Sequence, residues 1–392
     1  MDFDRVPQIA KYLSLVYMLT WLGASTVWQF LPLFFEQHIS SVFLIGVLTA
    51  LPPLVCLLLD IPMGNLVQRA GETTVIFIGL MLHLTPGLFY LMGIPLFIIL
   101  GRAMEGVVKS MVWNGGWTLS LRSGNESNES QTQSVFLLGT NLAMIVGPII
   151  GGVLIAAKGF EATFALWIFT AWLAVLTFYL YVGLEGKKGF LDSMEDLFHR
   201  KTYVDDFHHL EDNWNRIRLP LLLIFLQSII FSFFWLAVPL LLNDVGASYE
   251  LMGVVFGLAA LPSIFQYLFG EWADKIGYLK QVSVLSILLI PALGLMGFSQ
   301  SVFAIGGLFL IAILFTNGIT PAAHAFYDSR VPDSIEGEMT GFMEFSKHTG
   351  QSIGPIMAGA VASVWSISAS FFAAAFIAIL IFITCIVNLR KL

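Results

Sequence analysis

The sequence predicts an all-helical membrane protein in which twelve transmembrane helices form two six-helix bundles that repeat one another. Three observations lead to this fold class. Of the 392 residues, 57% are hydrophobic and only 11% are charged, whereas soluble domains carry about 25% charged residues. The apolar residues gather in runs of about 20, the length that crosses a bilayer as a helix. Finally, the second half of the chain repeats landmarks of the first at a nearly constant offset.

The predicted spans follow the apolar runs between polar connections. They lie at 9–34, 41–66, 73–93, 96–121, 131–157, 160–183, 217–243, 249–272, 279–298, 300–327, 338–364 and 367–389. The connections are short except for one polar, charged stretch between the sixth and seventh spans. We therefore predict an N-terminal bundle at 1–184, a cytoplasmic linker at 185–216 and a C-terminal bundle at 217–392.

The positive residues predict the orientation, because cytoplasmic loops are enriched in Lys and Arg. Of the 19 such residues, 15 fall on the side of the two termini, Lys158 alone falls on the other side, and three lie inside spans. Both termini are thus expected in the cytoplasm of a cell-membrane protein. The first residues, MDFDRVPQIAKYL, lack the plan of a removable signal peptide, so the first span is expected to remain. Asn125 and Asn128, in Asn-Glu-Ser triplets, then lie inside and are interpreted as a polar connection.

The sequence lacks the residues that several other classes of function require. The only cysteines, Cys56 and Cys385, lie in apolar runs and predict neither a disulfide framework nor a metal site. His199, His208 and His209 lie among acidic residues and are interpreted as part of a solvated linker. There is no nucleotide-binding loop and no nucleophile–base motif. We therefore expect no enzyme activity, no cofactor, no metal and no nucleic-acid partner.

The two halves share three landmarks. STVWQFLPLFF (25–35) matches SFFWLAVPLLL (232–242), GNLVQRAG (64–71) matches GEWADKIG (270–277), and GPIIGG (147–152) matches GPIMAG (354–359). The offset is 206 or 207 each time, so the second six helices are predicted to repeat the first in parallel orientation. Transporters with parallel repeats bind their substrate at the interface of the repeats.

These motifs resemble the major facilitator superfamily over essentially the full chain. GEWADKIGYLK resembles the family signature between helices 8 and 9, and GRAMEG resembles its helix 4 arginine motif. GTNLAMIVGPIIGG resembles the helix 5 motif of the drug:proton antiporter branch. The first-half signature departs from the pattern, since Gln68 replaces an aspartate and Glu72 and Thr73 replace basic residues. An acidic residue in helix 1, found in several drug antiporters, is also absent.

The resemblance implies a latch that holds the cytoplasmic side shut. Its residues would be Gly64, Arg69, Gly71, Gly270, Asp274, Lys275 and Gly277. The Asp274 carboxylate would face the N-terminus of helix 5, where unpaired N–H groups favour an anion. We expect Arg69 to compensate for Gln68 by pairing with Glu336 or Glu338. The alternative is a solvated loop charge of little energetic weight.

Small residues on helices 5 and 11 predict surfaces that slide during alternating access, because they let backbones approach. These residues are Gly147, Pro148, Gly151, Gly350, Gly354 and Pro355. Static helix packing is the alternative interpretation.

The resemblance also places helices 1, 4, 7 and 10 around a central cavity. The polar and aromatic residues there are Trp28, Gln29, Trp113, Asn114, Trp117, Gln227, Trp235, Asn317 and His324. Aromatic, weakly charged groups of this kind favour an amphiphilic substrate, although each single aromatic residue could serve packing alone.

Two charged clusters inside spans are candidates for proton coupling, since ionisable groups in hydrocarbon are costly and commonly functional. Helix 4 carries Arg102 and Glu105, followed by Lys109, and helix 11 carries Glu344, Lys347 and His348. A buried acid beside a base can load a proton, and histidine titrates near neutrality. An internally compensated ion pair without a coupling role is the alternative. The first-half positions equivalent to the helix 11 cluster carry no charge.

Together these features predict a monomeric secondary active transporter that exports a small amphiphilic solute in exchange for protons, or sodium. A transporter of sugars, nucleosides or peptide-like nutrients and a lipid flippase are alternatives with the same fold. A non-transporting membrane sensor is a third, disfavoured alternative, because the loop and tails are short.

Overall fold

The computed structural model describes residues 6–124, 129–184, 190, 193, 200–332 and 335–390. Within these ranges the side chains of 129–130, 200–209, 212 and 336–338 are outside the description. The described residues form helices and short connections, and they contain no β-strand. The all-helical prediction is therefore confirmed.

Twelve long helices are present in the described part of the chain. They are α1 (Gln8–Glu36), α2 (Val42–Ala70), α3 (Glu72–Leu91), α4 (Pro95–Ser123), α5 (Glu129–Lys158), α6 (Phe160–Tyr181), α7 (Arg200–Asp244), α8 (Tyr249–Ile276), α9 (Tyr278–Phe298), α10 (Val302–Asp328), α11 (Glu336–Val364) and α12 (Ile367–Leu389). Short 3-10 turns interrupt α1 at Trp28–Phe30 and α8 at Leu261–Phe265. Each helix overlaps one predicted span. The α7 helix begins at Arg200, so residues 200–216 of the predicted linker are helical.

Ten of these helices are long and apolar enough to cross a membrane. The exceptions are α4 and α11, which carry the two charged clusters. Hydrophobicity alone therefore identifies ten of the twelve spans. The other two, α4 and α11, are less hydrophobic because they carry the charged candidate functional residues.

The first compact unit, called unit 1, consists of residues 1–31, 58–198 and 249–257. In it α1 packs on α5 and α6, and α3 packs on α4 and α6. The core contains Leu13, Tyr17, Ile76, Phe136 and Phe178, all fully buried. The Tyr17 hydroxyl donates to the carbonyl oxygen of Val112, which ties α1 to α4.

The second compact unit, unit 2, consists of residues 32–57, 199–248 and 258–392. Here α7 packs on α11 and α12, and α9 packs on α10 and α12. Each of these pairs has its equivalent in unit 1, six helices earlier in the chain. The packing of α7 on α11 and α12 corresponds to that of α1 on α5 and α6, and the packing of α9 on α10 and α12 corresponds to that of α3 on α4 and α6. The internal repeat is thus visible in the packing of each unit.

The units differ from the predicted bundles in two segments. The first part of α2 belongs to unit 2, where Gly46 contacts Pro355 and Gly359. The first part of α8 belongs to unit 1, where Gly253 contacts Pro148 and Gly152. Adding 207 to Gly46 gives Gly253, and adding 207 to Gly152 gives Gly359. The two exchanged segments are therefore equivalent parts of the repeat.

Gly71 and Gly277 begin α3 and α9 with nearly identical left-handed backbones, φ 91° and 92°. We expect alanine at either position to reduce the free energy of unfolding by about 1–3 kcal/mol, because an L side chain is strained at this φ. The matched controls are Gly64→Ala and Gly270→Ala. Both glycines are helical and a Cβ there meets no atom within 4 Å, so alanine should be neutral or stabilising. Thermal unfolding of the purified variants measures this; equal losses at all four sites would contradict the prediction.

Candidate functional site

Arg102 and Glu105 of α4 form a closed network with a residue that the sequence analysis missed. Arg102 Nη1 lies 2.7 Å from Glu105 Oε2, and the side chains are only 9% and 6% exposed. The Tyr90 hydroxyl of α3 donates to the other oxygen, Glu105 Oε1. Gly101 makes room for this contact, since a Cβ there would lie 2.7 Å from the Tyr90 ring. Both carboxylate oxygens of Glu105 are therefore engaged, which favours the compensated-pair interpretation for this cluster.

The α11 cluster is more open. Lys347 Nζ lies 2.6 and 2.8 Å from the two oxygens of Glu344. His348 Nε2 is 3.5 Å from Glu344 Oε2, and its Nδ1 is 3.1 Å from the Gln351 side-chain oxygen. The Glu344 side chain is 31% exposed. A single carboxylate thus contacts an ammonium and an imidazole while remaining partly accessible.

His324 of α10 joins this cluster. Its charge interacts electrostatically with those of Glu344 and Lys347. The sequence analysis placed His324 in the predicted cavity and Glu344 in the coupling cluster, so the structure brings two separately predicted sets together. The spacing along the chain contained no signal for this electrostatic interaction, because α10 and α11 are independent helices.

The remaining predicted cavity residues of unit 2 are mostly held by amides and hydroxyls. Gln227 donates to Thr320 Oγ1 at 2.8 Å, which joins α7 to α10. Asn317 accepts from Gln266 of α8 at 2.8 Å. Asn317, Thr320 and His324 follow one another at helical spacing on α10, so they form one polar stripe. Trp235 lies apart from it, against Phe231 with ring centroids 5.6 Å apart.

The predicted cavity residues of unit 1 fall into two aromatic groups. Trp28 packs against Trp21 and Trp167, with centroids 5.3 and 6.3 Å apart. The neighbouring Gln29 is buried, and its side-chain oxygen has no hydrogen-bond partner in the described part of the chain. Trp113 and Trp117 stack on one another at 6.3 Å.

Asn114, also predicted to line the cavity, donates to the carbonyl oxygen of Ser110 at 2.8 Å. The Ser110 hydroxyl in turn donates to the Asp60 carboxylate of α2. Asp60 is thus hydrogen-bonded to a residue in the middle of α4.

The predicted latch residues lie at the ends of α2, α3, α8 and α9. Asp274 and Arg69 have exposed side chains. Lys275 lies 4.0 Å from Glu271, and both are exposed, so this pair contributes little. The proposed Arg69 partners, Glu336 and Glu338, have side chains outside the described residues. The latch remains a prediction.

A different ion pair is present beside the predicted latch. Glu72, in the first turn of α3, is buried and pairs with Arg122 at the end of α4. The sequence analysis noted Glu72 only as a departure from the family pattern. The acid lies at a helix N-terminus, where the helix dipole favours it.

The small residues of α5 and α11 pack on equivalent partners. Ser25 Oγ donates to the Ala143 carbonyl at 2.8 Å and touches Gly147. In unit 2, Ser232 Oγ lies 3.4 Å from the Gly350 carbonyl and touches Gly354. Gly151 lies against the backbone carbonyl of Thr26. These glycines face α1 and α7 within their own units.

The carbonyls of Pro148 and Pro355 face other glycines, Gly253 and Gly46. The sequence analysis missed these two glycines, and the offset of 207 between them was the signal that could have identified them. Whether any of these surfaces slides remains a prediction.

The geometry defines a class of protein: a helical membrane protein of two repeated six-helix units with buried ionisable groups on α4 and α11. The profile of the Major Facilitator Superfamily matches residues 13–218 and 220–391. The chain belongs to the Major Facilitator Superfamily. The family predicted from the motifs is thus confirmed.

Individual relatives agree with this assignment. The uncharacterized MFS-type transporter YuxJ of Bacillus subtilis (strain 168) is 25% identical over 259 residues, which cover 64% of this chain and 64% of the relative. The human organic anion transporter MFSD10 (TETRAN) has a similar structure, with TM-score 0.69 and 18% identity over 98% of this chain and 100% of that one. A POT family transporter in complex with 5-aminolevulinic acid has TM-score 0.75 and 14% identity, over 98% and 96% of the two chains. At these identities the structural likeness shows the fold alone.

Proposed function

We propose that this protein exports a small amphiphilic solute by alternating access, driven by protons that Glu344 binds and releases. The observation that carries this proposal is the position of Glu344, in a membrane helix, between Lys347 and His348. The equivalent positions of α5 are Leu137, Thr140 and Asn141. Because the repeated scaffold forms without these charges, the cluster serves a purpose other than folding.

Glu344 suits proton exchange better than Glu105 does. Both Glu105 oxygens are held by Arg102 and Tyr90 in a buried network. Glu344 is partly exposed, so a proton can reach it. Its protonation would remove the countercharge of Lys347 and release that ammonium to a new partner. A protonation-dependent change of partner is what coupling to a conformational cycle requires.

The imidazoles of His348 and His324 are two further groups that can bind a proton. Both lie close enough to the Glu344 carboxylate to interact with its charge. A protonated imidazole can stabilise the charged carboxylate of Glu344. It can also pass its proton to that carboxylate. The cluster therefore provides a proton donor, an acceptor and a countercharge within unit 2.

The stacked indoles and the amide-lined stripe of α10 support an amphiphilic solute with an aromatic or apolar part. Small organic solutes also appear in the descriptions of two structural relatives, an organic anion transporter and a POT family transporter bound to 5-aminolevulinic acid. The Lys and Arg distribution supports a cell-membrane protein with both termini in the cytoplasm. We propose that it acts as a monomer.

Proteoliposomes loaded with a pH-sensitive dye test the proposal. Anionic, neutral and cationic amphiphilic compounds are added to the outside. A compound that the wild type transports should start proton movement without an imposed pH gradient. We expect Glu344→Gln to lose at least about nine-tenths of this proton movement, because the amide cannot bind a proton. Substrate exchange without a gradient should persist in this variant.

The matched control is Glu271→Gln, which removes an exposed carboxylate whose side chain is 63% accessible. It should behave as the wild type. Unchanged proton movement in Glu344→Gln would show that the coupling residue is elsewhere, and Glu105→Gln is the next variant to measure. If no compound moves protons through the wild type, proton coupling is wrong.

A further inference from the structure

Three basic residues of the described part of the chain lie well inside membrane helices, and one of them has no partner among the described residues. Arg102 and Lys347 each have a carboxylate partner, at 2.7 and 2.6 Å. Lys109 of α4 makes no hydrogen bond or ion pair with any residue in the described part of the chain. The nearest acid on its own face, Glu105, is already engaged by Arg102 and Tyr90. An ammonium in this position is costly without a compensating group.

Lys109 lies far from both ends of its helix. It is the middle residue of a 29-residue helix, so each helix end is about 21 Å away at 1.5 Å per residue. Lysine side chains reach water by extension only near helix ends. Lys109 also lies on the side of α4 opposite the exposed apolar residues Leu96 and Leu100. Lys109 is therefore directed away from these two leucines.

Aromatic rings continue the Lys109 face along α4. Trp113 follows one turn later and Trp117 another turn later, and their rings are stacked with an interplanar angle of 23°. Trp117 is 39% exposed. The face thus offers one unpaired positive charge followed by accessible indole surface.

The Asp60 carboxylate is hydrogen-bonded next to Lys109 along the chain. It accepts a hydrogen bond from Ser110, the residue after Lys109, whose side chain projects about 100° around the helix from the lysine. No ion pair joins Asp60 to Lys109 among the described residues.

We propose that Lys109 binds the anionic group of the substrate and that Trp113 and Trp117 bind its apolar or aromatic part. The substrate is then a monoanionic amphiphile, such as an aromatic carboxylate or sulfonate. A single ammonium matches one negative charge, and a cationic amphiphile would be repelled. This inference rests on the proposed transport function and names the substrate class for it.

Binding to the purified full-length protein, without any gradient, tests the inference. The probes are matched pairs of an acid and its amide: 2-naphthoate and 2-naphthamide, indole-3-acetate and indole-3-acetamide, and octanoate and octanamide. We expect at least one acid to bind the wild type tenfold or more tightly than its amide. Lys109→Met should abolish this preference, a loss of about 10- to 100-fold in affinity for the acid. Lys109→Arg should retain most of it.

The matched control is Lys158→Met, which removes an exposed lysine at the end of α5 and should not change either affinity. Trp113→Leu should weaken binding of the acid and of its amide together, because it removes the apolar contact only. The inference is overturned if no acid binds the wild type better than its amide, a result that needs no variant to fold. It is also overturned if Lys109→Met keeps the preference.

The outcomes separate this inference from the proposed function. If an acid binds through Lys109 but moves no protons in proteoliposomes, proton coupling fails and the anion site stands. If a neutral or cationic compound moves protons and no acid binds preferentially, the anion site fails and proton-coupled transport stands.

Discussion

Replacing Arg102 by methionine is expected to lower the free energy of unfolding by about 3–5 kcal/mol, because it leaves the Glu105 carboxylate buried without its countercharge. The geometry makes this loss large. The two side chains are almost inaccessible, and Tyr90 supplies only a neutral hydrogen bond to the remaining acid. The measurement is thermal or denaturant unfolding of the purified protein.

The double variant Arg102→Met/Glu105→Met provides the control. Removing both charges leaves no unpaired ion, so the double variant should be more stable than Arg102→Met alone. Lys275→Met breaks an exposed pair and should change stability by less than about 1 kcal/mol. If the free-energy losses of the two single substitutions simply add in the double variant, Arg102 and Glu105 do not act as a pair.

Leucine at Gly152 or at Gly359 is expected to destabilise the protein by up to about 3 kcal/mol or to prevent it from folding. A Cβ at Gly152 would overlap the carbonyl oxygen of Tyr249, and a Cβ at Gly359 would lie 2.8 Å from that of Val42. Since backbone atoms cannot move aside as a flexible side chain can, the packed helices must separate. The apparent melting temperature and the elution profile of the purified variants measure this effect.

Gly294→Leu and Gly307→Leu are the matched controls. Both glycines lie in membrane helices, α9 and α10, and a Cβ at either position meets no atom within 4 Å. These variants should melt like the wild type or slightly above it. Similar destabilisation by all four leucines would show that the loss reflects helix composition and not the close approach of two backbones.

The different environments of the two charged clusters have a consequence for function. Substitutions at Glu105 are expected mainly to lower the stability of the protein, whereas substitutions at Glu344 are expected mainly to reduce transport. Stability and proton movement measured on the same variants would therefore separate the structural cluster of α4 from the proposed coupling cluster of α11. Lys109 forms no ion pair with either cluster among the described residues, which is why we propose that it binds the substrate.

The sequence by itself determined the membrane fold, the family and the internal repeat. Long apolar runs have few alternatives to helices in a bilayer, because every backbone polar group must be satisfied there. The offset of 207 also predicted equivalent environments correctly. Ser25 on Gly147 and Ser232 on Gly354 form the same contact in the two units, and the offset connects Gly46 with Gly253 as well.

The tertiary structure alone decided which polar groups are partners. Helical spacing placed Arg102, Glu105 and Lys109 on one face, but the position of Tyr90 on α3 decided that Glu105 would be closed off and Lys109 left unpaired. In the same way, His324 joined Glu344 only through the packing of α10 near α11. The physical reason is that periodicity specifies the face of one helix, whereas a partner on another helix depends on the rotation and depth at which the two helices pack.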